Sequence, residues 1–213
     1  MAIAAFCILL FVLWAPSALA GNGDHDPSPR RVVLEGQPFR CASAVDLDLV
    51  KVEAPPGDAV LINGGCTGRI GRLEVDTWTA DGVKIRMRQG EAHDLVVRGG
   101  YVRCRGVRAG AHQDALQAGA GDRIRFIGVS FDCLGNSNFF VSSFGGGTPT
   151  SIVCDRCYFG PRSSSTVFIG RSVASGVRNS VICDGRSARR TFRVREGAVD
   201  VINVNNTIRA TCP

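Results

Sequence analysis

The chain has 213 residues, of which 45% are hydrophobic, and this is enough apolar material for one domain with a buried core. Its formal net charge is +6, and arginine carries most of the positive charge, since only Lys51 and Lys84 are lysines. A positive surplus favours anionic partners over neutral ones. Nucleic acid is not an expected partner, because no segment interleaves aromatic with basic residues as nucleic-acid-binding motifs do.

The first twenty residues have the pattern of a secretory signal peptide. Residues 3–14 form an apolar run that is too short to span a bilayer, and residues 18–20, Ala-Leu-Ala, are a small-x-small cleavage site. We therefore predict that residues 1–20 are a signal peptide, that the mature protein is secreted, and that it has no stable membrane insertion. Residues 21–31, which mix prolines with charged residues, are predicted to be a disordered lead-in.

Short apolar segments repeat through the second half of the chain. Residues 122–131 and 150–159 carry small or apolar side chains at matching positions 28 residues apart, and residues 94–102, 176–183 and 200–208 continue the series at similar intervals. A period of this length is typical of a solenoid. A second apolar or β-branched segment recurs once per period, and no window has the periodicity of an amphipathic helix. Strands are therefore predicted to form the coils.

Two or three short strands per period predict an all-β fold, a parallel β-helix in which each coil pairs with the coils above and below it. Leucine-rich repeats have a similar period, but their Leu-x-x-Leu-x-Leu frame is missing here. Phe131, Phe159 and Ile208 are expected to form one interior column. Opposite charges are expected side by side on adjacent coils, in the pairs Asp94–Arg123 and Arg103–Asp132. A β-sandwich is the competing fold.

Eight cysteines remain when Cys7, inside the predicted signal peptide, is set aside. An even number in an exported chain favours disulfides over zinc. Cys104 and Cys133 each lie two residues beyond aligned core positions, so we predict a disulfide between them. Cys41 and Cys66 are predicted to form the amino-terminal pair. The pairing of the other four stays open, and the Cys-x-x-Cys spacing among them is interpreted as structural; they are Cys154, Cys157, Cys183 and Cys212.

The strongest candidate for chemistry is the segment 111–117, Ala-His-Gln-Asp-Ala-Leu-Gln. It resembles the His-x-Asp-Gly-Ile-Gln segment of exported β-helix proteins of the pectin-lyase-like superfamily, with Ala115 at the usual Gly and Leu116 at the usual Ile. Residues 123–131 are similar to that superfamily's recurring strand, and the resemblance covers repeats from about Val83 to Ile208. The resemblance implies a right-handed parallel β-helix. The length of the chain supplies about seven coils, and we place the domain at residues 32–213.

Two interpretations of His112 and Asp114 compete. In the functional one, which the resemblance implies, Asp114 is a catalytic residue or a ligand of calcium, and His112 handles a proton of the substrate. Gln113 and Gln117 would then bind substrate, and no other cofactor is required. In the structural one, Asp114 accepts hydrogen bonds from backbone N–H groups at the turn that enters a coil, and His112 donates to a nearby carbonyl. The shared inward parity of Asp114 and Leu116 favours the structural interpretation.

The signature segments of the best-known enzymes of this superfamily are absent. The chain has no Asn-Thr-Asp, Asp-Asp, Gly-His-Gly or Arg-Ile-Lys segment of polygalacturonase-like hydrolases, and no Trp-Ile-Asp-His or Arg-x-Pro-x-x-Arg segment of pectate lyases. Fold alone does not determine function. Enzyme status is therefore left open.

Two functions are expected from the resemblance. The first is a secreted protein that binds an anionic polysaccharide or cell-envelope polymer along the face containing residues 115–117, and that cleaves or epimerises it if it is a polysaccharide lyase or a related enzyme. The second is a non-catalytic extracellular or envelope module, for which the β-helix serves as a rigid binding rod. Turnover of a uronate polymer separates the two.

Overall fold

The computed structural model describes residues 29–78, 80–87, 90–106, 112–144, 146–161, 165–184, 191–210 and 212. The predicted signal peptide and residues 21–28 of the predicted lead-in lie outside the described residues. No helix in the described part of the chain is long and apolar enough to cross a membrane. The described chain is instead almost entirely β-structure, in short strands that belong to three parallel sheets.

Sheet A has eight strands, one from each successive coil. In spatial order they are β1 (Arg31–Glu35), β4 (Leu49–Glu53), β7 (Leu73–Thr77), β10 (Gly100–Cys104), β13 (Ser130–Cys133), β16 (Tyr158–Phe159), β20 (Val181–Cys183) and β24 (Thr207–Arg209). Sheet B has seven strands, which are β2 (Phe39–Cys41), β5 (Val60–Ile62), β8 (Val83–Ile85), β11 (Asp114–Ala118), β14 (Ser137–Val141), β17 (Ser165–Ile169) and β21 (Phe192–Val194).

Sheet C closes each coil and has nine strands. They are β3 (Ala44–Leu47), β6 (Thr67–Ile70), β9 (Leu95–Arg98), β12 (Asp122–Ile127), β15 (Thr150–Asp155), β18 (Ser172–Val173), β19 (Gly176–Arg178), β22 (Ala198–Val199) and β23 (Ile202–Val204). Strand β15 pairs with both β18 and β19, because a bend divides the next strand in two.

Every coil therefore stacks its strands in parallel on those of the coil before it. This pairing confirms the predicted parallel β-helix and excludes the β-sandwich, whose sheets are antiparallel. The seven strands of sheet B are close to the predicted number of coils. The first strand begins at Arg31, one residue before the predicted start of the domain.

The core is a set of columns in which one inward side chain per coil stacks on the next. The predicted column is present: Phe131 is in register with Phe159, and Ile182 joins Phe159 to Ile208. The rings of Phe131 and Phe159 are stacked with their centroids 5.6 Å apart, and both residues are completely buried. Burial of one such side chain stabilises the fold by about 1.5–3 kcal/mol. The columns therefore hold the coils in register.

Of the two predicted charge pairs, one is present in the structure and the other is not. Arg123 Nε lies 2.7 Å from Asp94 Oδ1, as predicted. Arg103 and Asp132 are neighbours in register, but the Arg103 guanidinium turns to Asp76 on the preceding coil, at 3.4 Å from Nε to Oδ1. An outward arginine has a neighbouring coil on each side of it. The Arg103 side chain is long enough to reach the carboxylate of Asp76 on the preceding coil.

Four disulfides cross-link the solenoid. Two of them, Cys41–Cys66 and Cys104–Cys133, are the pairs predicted from the sequence. The pairing that the sequence leaves open is resolved as Cys154–Cys157 and Cys183–Cys212. Disulfides persist in oxidising surroundings and are rare in the cytosol. The four bridges therefore indicate an oxidising environment such as the extracellular space.

The last coil leaves apolar side chains uncovered, and we call this end, residues 192–209, the open end. Its strands β21, β22, β23 and β24 pair along one edge, with the coil before them. Half or more of the surface is exposed at each of four apolar residues here, which are Val194, Val199, Val204 and Ile208. Ile208 is exposed although it continues the column of Phe131, because no further described coil covers it.

Candidate functional site

A groove of about 1020 Å³ lies on the outward face of sheet B. We call it the sheet B groove. It runs across four coils, from His112 beside β11 to Arg195 after β21, a length of about 14 Å at the usual strand spacing. The register of sheet B places Gln117, Phe140, Phe168 and Arg193 in one outward column beneath it, one residue from each coil. One face of the solenoid thus collects side chains that are far apart in sequence.

The floor of the groove is a pair of stacked phenylalanines. The rings of Phe140 and Phe168 are parallel within 4°, and their centroids are 4.7 Å apart, the spacing of neighbouring strands. The guanidinium carbons of Arg193 and Arg195 lie 5.8 and 5.4 Å from the centroid of the Phe168 ring, within the range of cation–π contacts. The His112 ring meets Phe140 edge-on at 6.1 Å. The ring faces are therefore largely covered by one another and by cations.

The walls of the groove are polar and mostly positive. Among the described residues that line it, the cations are Arg171, Arg193 and Arg195, and the carboxylate is that of Glu196. Small hydroxyl and amide side chains complete the lining, at Asn136, Ser137, Ser142, Ser143 and Ser165. The groove therefore combines positive charge with groups that hydrogen-bond to hydroxyls.

The predicted site residues lie at one end of this groove. Asp114 is the first residue of β11 and is completely buried. Its carboxylate accepts hydrogen bonds from Asn136 Nδ2 at 3.1 Å, from Gln117 Nε2 at 3.1 Å and from the backbone N–H of Ser137. His112 Nδ1 lies 3.2 Å from Asp114 Oδ2, while 59% of the His112 side chain is exposed. An exposed imidazole is thus held by a buried carboxylate.

The two predicted glutamines do not line the groove. Gln117 is 9% exposed, and its amide is committed to Asp114. Gln113 is 1% exposed and donates from Nε2 to the carbonyl of Ala80 at 3.3 Å. Both side chains therefore support the coil around Asp114. The structure brings together His112, Asp114 and Gln117. The side chain of Gln113 instead contacts the preceding coil, at Ala80.

Asp114 belongs to an aspartate ladder, Asp58, Asp81 and Asp114, that runs along the edge of sheet B. The backbone N–H of Asp81 donates to Asp58 Oδ1 at 3.4 Å, and that of Asp114 donates to Asp81 Oδ1 at 2.8 Å. Each carboxylate thus caps a backbone donor of the next coil. The repeated triplets Asp-Ala-Val, Asp-Gly-Val and Asp-Ala-Leu carry the signal for this ladder in the sequence. It was missed because the longer connection before Asp114 makes the spacing irregular.

The charge balance changes along the aspartate ladder. Asp58 is paired with Arg86 and lies 3.7 Å from Lys84 Nζ, and Asp81 accepts from Lys84 Nζ at 2.6 Å. For Asp114, burial and the neighbouring carboxylate of Asp81 raise the pKa to about 6, although His112 and the hydrogen bonds from Asn136 and Ser137 oppose the rise. Asp114 therefore changes its protonation close to neutral pH. At the end of the ladder that reaches the groove, the side chain beside the carboxylate is His112 instead of a lysine or arginine.

Comparison of the chain with protein-family models, with curated proteins and with solved structures gives no match. The parallel β-helix is therefore established by its own strand pairing. Because a fold of this kind supports many activities, function has to be argued from the groove and from the His112–Asp114 cluster.

Proposed function

We propose that the protein is an extracellular β-helix that binds an anionic polysaccharide or cell-envelope polymer in the sheet B groove. The observation that carries the proposal is the charge of the groove lining. Among the described residues, the lining has three arginines, Arg171, Arg193 and Arg195, and one carboxylate, that of Glu196. Guanidinium groups match carboxylates and sulfates in geometry and charge. The neighbouring serine hydroxyls suit the hydroxyl groups of a sugar chain.

The arrangement of the phenylalanines favours a charged polymer over a neutral one. Neutral sugars are commonly held by an exposed aromatic face, yet Phe140 and Phe168 cover a face of each other and Arg193 and Arg195 lie over Phe168. The ring edges that remain carry the positive end of the quadrupole. Binding energy must then come mainly from the arginines. We therefore expect affinity for uronate or sulfated polymers, with a strong dependence on salt.

Membership of the pectin-lyase-like superfamily and export through the predicted signal peptide are parts of the same proposal. If the protein also acts on its polymer, His112 is the residue placed to move a proton, since it is exposed at the end of the groove. Asp114, being buried, would position the imidazole through its contact with Nδ1. Gln113 and Gln117 would support this cluster. The arginines and serines of the groove, and not the two glutamines, would contact the polymer.

The first test removes two of the arginines. Replacing Arg193 and Arg195 together by glutamine is expected to lower the affinity for the bound polymer about tenfold or more, which is about 1.4 kcal/mol or more. Titration calorimetry against pectate, alginate and sulfated glycosaminoglycan, with a neutral glucan beside them, measures the effect at low and at physiological salt. Ultraviolet absorbance of unsaturated uronate in the same mixtures reports lyase activity.

A matched control removes the same charge from another face. Arg123 and Arg125 lie on sheet C, and their side chains are 57% and 46% exposed. The Arg123→Gln, Arg125→Gln variant should bind the polymer as the unaltered protein does. Equal losses in the two variants would mean that net charge alone drives the binding, and binding of the neutral glucan as tightly as of pectate would refute the proposal.

A further inference from the structure

We propose that Asp81, His112 and Asp114 form a binding site for a divalent transition-metal cation such as Zn²⁺ or Mn²⁺. One possible ligand atom from each residue lies within 4.8 Å of those of the other two. The site would sit where the aspartate ladder reaches the sheet B groove. Its ligands include none of the three groove arginines, so metal binding can be tested without the polymer.

The backbone fixes two of the three ligands. Asp81 and Asp114 are 1% and 0% exposed, and the N–H of Asp114 is bonded to Asp81 Oδ1, so neither carboxylate can move far. His112 is exposed, and its Nε2 lies 3.1 Å from Asn136 Nδ2, which leaves Nδ1 as the ring nitrogen that faces the carboxylates. Its Nδ1 is 3.2 Å from Asp114 Oδ2, close to the separation of two ligands around a cation bound at about 2.0–2.2 Å. The remaining coordination positions would face the groove.

The hydrogen bonds already made by these carboxylates leave capacity for a cation. Each ionised carboxylate offers about four lone-pair positions. Lys84 and the N–H of Asp114 use two positions on Asp81. Asn136, Gln117 and the N–H of Ser137 use three on Asp114, so each carboxylate keeps at least one lone-pair position for a cation. A cation would also relieve the repulsion between two adjacent buried carboxylates.

An independent observation at the same corner also points to a ligand. Gln113 lies between His112 and Asp114 in the chain and is 1% exposed, yet its Oε1 has no hydrogen-bond partner among the described residues. Its Nε2 is bonded to the carbonyl of Ala80, the residue before Asp81, which places the side-chain amide beside the cluster. A buried oxygen without a donor is costly. A metal-bound water is the kind of donor that it lacks.

The donor set selects the class of metal. Calcium takes six to eight oxygen ligands, whereas this cluster offers an imidazole nitrogen with two carboxylates. Nitrogen and oxygen donors together suit zinc, manganese, cobalt or nickel. The cysteines do not compete, since all eight outside the predicted signal peptide are in disulfides. The expectation of calcium at Asp114, which came from the family resemblance, is thus replaced by a transition metal in this proposal.

The test uses the untagged protein, freed of metal with a chelator. Titration calorimetry with ZnCl₂ and with MnCl₂ should show one equivalent bound, and the melting temperature should rise with the metal. In His112→Ala the affinity is expected to fall at least tenfold. The matched control is His93→Ala, because His93 Nδ1 also contacts a carboxylate, Asp94 Oδ2, at 3.0 Å, but belongs to no cluster of three ligands among the described residues.

Three results would overturn the proposal. They are the absence of stoichiometric binding to the unaltered protein, an unchanged affinity in His112→Ala, and an equal loss in His93→Ala. Tighter binding of CaCl₂ than of either transition metal would overturn the choice of metal. Because His112 is exposed, its replacement should leave the metal-free melting temperature almost unchanged, so a folding defect does not confuse the result.

Discussion

Replacing Cys104 and Cys133 together by alanine is expected to lower the free energy of unfolding by about 3 to 4 kcal/mol. The bridge closes a loop across 29 residues of sequence between two adjacent coils, and the chain-entropy model assigns about that much to a loop of this length. The measurement is urea unfolding of the oxidised proteins, followed by circular dichroism of the strands. A drop of this size is a large fraction of the stability of a domain.

The chain provides a control with the same chemistry and a different loop. Cys154 and Cys157 are as buried as Cys104 and Cys133, but they are only three positions apart in the sequence. Their replacement by alanine removes similar buried volume and should cost about 2 kcal/mol on the same model. Equal losses in the two double variants would contradict an origin in loop closure. No loss in the first would mean that Cys104 and Cys133 are not joined.

Replacing Asp114 by asparagine is expected to change how stability depends on pH. Burial and Asp81 raise the pKa of Asp114 to about 6 in the folded protein, above the value of 3.8 for an unperturbed aspartate. The folded state therefore binds this proton more tightly than the unfolded state does. Its contribution to stability is complete below about pH 4 and is lost as the pH rises through about 6. Asparagine does not titrate, so the variant lacks this loss.

The size of the effect follows from the shift. A pKa raised by about two units corresponds to about 3 kcal/mol. The free energy of unfolding of the unaltered protein, relative to that of Asp114→Asn, should therefore fall by about 3 kcal/mol between pH 4 and pH 7. At pH 7 the variant is expected to be at least as stable as the unaltered protein. Urea unfolding at intervals across this range, with a chelator present, measures the difference.

The control for this series is Asp94→Asn on sheet C. Arg123, and after it His93, hold the pKa of Asp94 below its ordinary range, and that carboxylate is half-exposed. Asp94 therefore stays ionised from pH 4 to pH 7, and the corresponding difference should be flat. A flat difference for Asp114 as well would show that its carboxylate reaches water, because an exposed carboxylate keeps its ordinary pKa. Asp114 would then not be a buried member of the aspartate ladder.

The fold was predictable because a parallel β-helix converts sequence spacing directly into position. Residues one period apart stack on one another, which is why aligning Val102 with Phe131 was enough to place Cys104 beside Cys133. Cys154–Cys157 and Cys183–Cys212 were not predictable in this way. One lies within a single turn, and the other joins the chain beyond the last strand, where no repeat exists to align.

The site was predicted only in part, for a related reason. Local resemblance pointed to His112 and Asp114, which do meet at one end of the sheet B groove. The stacked pair Phe140 and Phe168 and the arginines beside it come from strands and turns whose lengths vary from coil to coil. An outward column of that kind is visible only after the register of sheet B is known. The side-chain direction of Arg103 was missed because register alone does not say which neighbouring coil a long side chain prefers.

The open end determines where the solenoid comes apart. Coils in the middle are stabilised by two neighbours and the last described coil by one, so in the second half of the solenoid local opening is least costly at β21 to β24. Backbone amides there should exchange with deuterium fastest, and protection should rise toward the coils that hold Phe131 and Phe159. The Cys183–Cys212 bridge ties the tail to β20, the strand before this coil. Fraying is thereby limited to about one turn, and the sheet B groove loses Arg193 and Arg195 while it keeps Arg171, Phe140 and Phe168.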